Sequence, residues 1–181
     1  MKYLLLILTG LMTHLHGYTQ DIFSSRNTNI SFFSSAPLED IEAKTDKAVS
    51  AINIKTRAVY FKVPVNSFQF EERLMQDHFN STYLESDKYP FSEFKGKITD
   101  DVDLSKEGTY NVTVEGILSL HGVDKSYREK GTITVKNGAI NVDAKFNVRI
   151  ADHKIKIPTI VVKNIAEVVA VTIKGAYTAS R

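Results

Sequence analysis

His78 and His121 are the residues of this chain best suited to proton transfer. Both lie in stretches rich in acids and aromatics: MQDHFNSTYLESDKYPFSEFKGKI, residues 75–98, and GTYNVTVEGILSLHGVDK, residues 108–125. A histidine oriented by Glu85, Asp87 or Asp124 could serve as general base in a hydrolase or isomerase acting on a hydrophobic substrate. That chemistry lacks a nucleophile in a recognisable setting. Ser119 precedes Leu120 and His121, but no Gly-x-Ser-x-Gly elbow surrounds it. Two histidines could also bind a metal on residue type alone, yet the chain has no cysteine to complete a thiolate site. The plainer expectation is no catalytic residue, no metal and no cofactor, with each histidine closing a hydrogen bond between helix, turn and strand. His153, in Ala151-Asp152-His153-Lys154, reads as an exposed turn residue.

The elements that must hold these residues are mostly strands. Tyr110, Val112, Val114, Leu118 and Leu120 fall on one face of a period-two pattern, with Asn111, Thr113 and Glu115 on the other. Residues 140–150 alternate in the same way, from Ile140 through Phe146 to Ile150. Residues 131–140 add Ile133 and Val135, followed by Asn137-Gly138, a strong two-residue hairpin signal. Residues 29–35, 51–63, 93–98 and 168–177 read as further strands, for roughly eight to ten in all. Such a series predicts an all-β antiparallel barrel or sandwich with an apolar interior. One segment breaks the pattern. Residues 67–79 carry Phe70, Leu74 and His78 at helical spacing behind Ser67 as N-cap, with Glu71 and Glu72 in the first turn. Ser86-Asp87-Lys88 before Tyr89-Pro90 forms a turn.

Bulk properties narrow the function classes. The 181 residues suit one domain, and the net charge of +2 is spread without a basic run, which argues against nucleic acid. Met1–Met12 has one lysine and then an apolar run too short to span a bilayer, followed by a polar exit. It reads as a secretory signal peptide, residues 1–19, cleaved near Gly17 to Gln20, rather than a buried N-terminal helix. His14 and His16 would leave with it. The expected product, residues 20–181, is periplasmic or secreted, with no stable membrane insertion.

The run from Phe68 to Ile98, with HFN at 78–80 and YLESDKYP at 83–90, together with HGV at 121–123 and Ile157-Pro158, resembles the YceI-like family over nearly the whole expected mature chain. The resemblance implies an eight-stranded, antiparallel, lipocalin-like barrel with one short helix. It also implies an exported binding protein that sequesters or transports a long hydrophobic ligand: a polyisoprenoid, an isoprenoid quinone or a fatty-acid-like chain. On the residues alone, the many phenylalanines could be plain core. The resemblance makes a ligand-lining set of Phe32, Phe61, Phe68, Phe70, Leu74, Met75, Phe79, Phe91, Phe94, Leu118 and Phe146. Met75 owes its place to its adaptable thioether. His121, Asn80 or Tyr83 would meet a polar head group. A ligand-free interaction module, its barrel filled by its own side chains, is the other non-enzymatic reading. An exposed apolar helix would suit a homodimer.

Overall fold

A computed structural model of the chain describes residues 21–158 and 164–180. The expected signal peptide and its cleavage region, residues 1–20, lie outside the described residues. Nine strands form: β1 Ile22–Ser35, β2 Asp40–Asn53, β3 Ala58–Pro64, β4 Gln69–Phe70, β5 Phe91–Ile98, β6 Gly108–Leu120, β7 Val123–Lys136, β8 Ala139–Arg149 and β9 Val168–Ala179. All pair antiparallel, in the order β1-β9-β8-β7-β6-β5-β3-β2, and β2 returns to β1. The eight long strands therefore close into the barrel that the alternating faces predict, and the two-residue β4 sits beside β2.

Closure gives each long strand a partner on both sides, but between β7 and β8 the pairing is shorter than the strands. β7 pairs with β6 over its whole length, from Gly108↔Val135 to Leu120↔Val123. It pairs with β8 only from Gly131↔Ala144 to Lys136↔Ala139. β8 keeps its partner β9 up to Arg149↔Val168. Above Gly131 and Ala144 the wall thus splits, and residues 123–130 face 145–149 without a ladder between them.

Two hairpins bound β7. Asn137-Gly138 has φ of 51° and 71°, and so has His121-Gly122, both in the left-handed turn geometry whose twist matches the strands. We call the end with Asn137-Gly138 the base and the end with His121-Gly122 the cap. The base is filled by Ile52, Ile98, Ile140 and Tyr177 from the strands and by Leu104 from the β5–β6 loop, all fully buried. Ser50 donates its hydroxyl proton to the Tyr177 hydroxyl oxygen at 2.8 Å, and Thr28 lies 2.6 Å from Ser50, so these buried hydroxyls satisfy one another.

Two local expectations are corrected. Residues 51–63 form two strands, because Asn53 Oδ1 accepts the amides of Lys55 and Thr56 and turns the chain before β3. The helix starts later than residue 67: α1 is Arg73–His78, continued by a π-turn over Phe79–Tyr83. Ser67 cannot cap it, since its hydroxyl donates to Pro64 O at 2.6 Å within a 3₁₀ turn, while Gln69 and Phe70 pair with β2.

Candidate functional site

Between base and cap lies a cavity of about 250 Å³ with almost wholly apolar walls. Its floor is the upper surface of the base core, at Ile52, Val59 and Val112; its roof includes Val65, Leu84 and Ile155. A void of this kind needs only about 10–15 Å³ to admit one water, but water there would find few partners.

Of the expected lining set, Phe32, Phe61, Phe68 and Phe79 border the cavity, and so do Phe94, Leu118 and Phe146. Phe70 stands behind them, 5.0 Å from the Phe79 ring and 5.7 Å from Phe32. Phe32 stacks on Phe79 at 5.5 Å and meets Phe68 at 5.4 Å, forming an aromatic shoulder beside the lid, residues 65–90 between β3 and β5. Leu74 and Met75 do not reach the cavity. The helix lies flat on the cap and turns Leu74 outward, where it is 65% exposed. Phe91 is 46% exposed, because the first residue of β5 points away from the barrel axis and its ring carries Lys62 Nζ 4.0 Å above it. Tyr83 and Asn80 also stay outside the cavity lining.

The histidines divide. His78 is exposed, and no side-chain hydrogen bond ties it down among the described residues. This corrects the expectation that it closes a contact. His121 does close one: Nε2 lies 2.8 Å from Glu85 Oε2, Nδ1 lies 3.1 Å from the backbone O of His153, and the Tyr89 ring packs edge-on at 4.7 Å. It pins the lid turn to the β6–β7 hairpin. It has the acid a general base needs but does not border the cavity. His153 is buried, contrary to its polar sequence context, because the turn Ile150–His153 folds back over the split wall. Its Nδ1 donates to Val123 O at 3.1 Å, which leaves Nε2 to accept the Tyr127 hydroxyl at 3.0 Å. Burial holds the imidazole below its ordinary pKa, in agreement with that neutral tautomer.

Residues outside the expected set matter most on β7. Extending the inward phase of Ile133 and Val135 back along the strand places Gly131, Glu129 and Tyr127 on the inner face, and all three border the cavity. Tyr127 meets Phe146 at 6.2 Å across the split. Burial pushes the Glu129 carboxyl above its usual pKa and does the same to the Tyr127 hydroxyl, with lesser help from Asp152 and Glu129. Period-two alternation continued from Ile133 and Val135 is the sequence signal that marks them.

The sequence model of the YceI-like domain matches residues 19–177. The chain belongs to the YceI-like family. Solved YceI-like structures share the barrel. A polyisoprenoid binding domain from Saccharophagus degradans, described as implicated in plant cell wall breakdown, superposes with a TM-score of 0.75 at 16% identity, covering 90% of this chain and 100% of that one. Burkholderia cenocepacia BcnA gives 0.69 at 15% identity over 82% and 95%. The Campylobacter jejuni YCEI protein gives 0.59 at 15% over 100% and 99%. At these identities the likeness is one of fold. Comparison with curated proteins gives no match.

Proposed function

We propose that this YceI-like protein is exported, to the periplasm or the medium, and there sequesters or carries one long hydrophobic molecule inside its barrel. The cavity between base and cap is the observation that carries the reading. Each methylene moved from water into such a wall gains about 0.8 kcal/mol, so a chain of fifteen carbons or more would bind without many polar contacts. A polyisoprenoid suits the apolar, aromatic-lined space, and one structurally similar domain is described as polyisoprenoid binding. Export rests on the apolar leader at Met1–Met12. No helix among the described residues is long and apolar enough to cross a membrane.

The test is native mass spectrometry of protein purified from the exported fraction, followed by organic extraction. A stoichiometric hydrophobic adduct is expected. A bare mass that stays bare after incubation with isoprenoids and fatty acids would sink the proposal. Recovery only from the cytosol with the leader intact would sink the export half alone.

A further inference from the structure

The wall split and the inner face of β7 meet at one residue. Glu129 lies two positions above Gly131, where β7–β8 pairing stops, and its side chain shares the inner face with Tyr127 and Ile133. The cavity border here includes Lys130 and Thr132, whose side chains by alternation face outward, so the space reaches into the wall at this level. Opposite stand Ala144 and Phe146 of β8, which offer no polar atom from their side chains. Among the described residues no cation pairs with Glu129 and no donor bonds to it; Arg128, beside it, turns outward to Glu115. A half-buried carboxyl in an apolar cavity costs free energy unless something hydrogen-bonds to it. The fold leaves that cost unrelieved at the level where β7 and β8 stop pairing.

We propose that the slot between β7 and β8 receives the polar end of the ligand, and that the Glu129 carboxyl accepts a hydrogen bond from an uncharged hydroxyl head while turning away anionic heads. The proposal rests on the carrier reading and narrows its ligand to a long-chain alcohol, as opposed to a phosphorylated or carboxylic chain. An alcohol O–H donates to Glu129 Oε and leaves its own oxygen free to face solvent through the slot. A phosphate would bring like charge beside the Glu129 carboxylate. The alkyl remainder runs inward over Phe146 and Leu118 toward the aromatic shoulder.

The experiment measures binding of three probes with the same fifteen-carbon chain, farnesol, farnesyl monophosphate and the headless hydrocarbon farnesene, at pH 8. It uses the wild type, Glu129→Gln and Glu129→Leu. The expected wild-type order is alcohol above phosphate. Glu129→Leu weakens farnesol about fivefold, the loss of roughly one hydrogen bond, while phosphate holds or tightens. Glu129→Gln keeps farnesol within about twofold, because its amide oxygen still accepts, and tightens the phosphate. Farnesene binds all three proteins alike, which separates head recognition from damage to the cavity. An alcohol-to-phosphate ratio unchanged or raised in both variants, with farnesol still bound, overturns the Glu129 assignment and leaves the carrier reading standing. A wild type that binds none of the three probes overturns the carrier reading, and the assignment falls with it.

Discussion

The two halves of this barrel are built from the same strands yet obey different packing rules. In the base half β7 pairs with both β6 and β8, and Ile52, Ile98, Leu104, Ile140 and Tyr177 are fully buried on the axis. In the cap half the same strands diverge, β7 loses β8, and aromatic rings line a void where they could have closed it. Stability and capacity are thus separated along one axis. The base can be packed to crystal-like density because the cap half carries the empty volume, and the cap half can stay hollow because the base holds the wall in register.

The comparison is broken most severely at the base. Ile98→Ala and Ile140→Ala should each lower the unfolding free energy by about 2–5 kcal/mol, whereas Leu118→Ala, already facing a void, should cost less than half as much. Urea midpoints of the ligand-free proteins decide this; equal losses would mean that the cap half packs solid in solution. Filling the hollow half should act in the opposite sense. Val114→Phe raises the cavity floor; it should weaken binding of a long-chain isoprenoid by about a hundredfold, roughly 2.7 kcal/mol, with the thermal midpoint unchanged or higher. A displacement titration and a melting curve on the same sample check both halves of that statement.

Acid should weaken the cap before the base. Burial depresses the His153 pKa in the folded protein, so the unfolded chain takes up the proton first. The contribution of neutral His153 is fully present above the unfolded value of about 6.5 and is lost as pH falls below it, by at most about 1.4 kcal/mol per pH unit. His153→Phe has no proton to take up there. Its stability difference from the wild type should therefore shrink as denaturation is measured from pH 7.5 down to pH 5; a constant difference would contradict a neutral His153. The smallest effect belongs to Tyr127→Phe, which leaves His153 Nε2 without its donor and should cost about 1 kcal/mol in chemical denaturation.

The two halves also differed in how well the sequence announced them. Alternation marked β6, the second half of β7 and β8, and Asn137-Gly138 marked the base hairpin, because there each inward position is apolar and each turn residue has left-handed geometry. The first half of β2 escaped notice. A register shift between Ser25 and Thr28 breaks the alternation of the β1–β2 pair, and Thr28, Thr45 and Ser50 take inward positions as polar residues that satisfy each other or a nearby hydroxyl. The aromatic candidates were legible through the family resemblance and not through the pattern, in which an inward phenylalanine reads as plain core. The split wall was not, since the loss of β7–β8 pairing above Gly131 depends on how far two strands diverge, which no residue pattern records. His153 and Glu129 became meaningful only once that divergence placed a folded-back turn and an inward carboxyl beside it.

The seam between β1 and β9 gives the barrel an unusual assembly schedule. Six of the eight junctions join strands consecutive along the chain and the β3–β5 junction spans only the lid, but β1–β9 brings Phe23 beside Ala179 and lets Ser180 N donate to Ile22 O at 2.8 Å. The meander can zip up step by step between strands close in sequence, so the largest single loop closure falls on the β1–β9 seam. That seam also places residues 21 and 180 within reach of a short linker. A circularly permuted chain, joined there and opened at Asn137-Gly138, would keep every strand neighbour, yet the once-distant seam would become a local hairpin and the long closure would move to β7–β8, the wall where pairing is already incomplete.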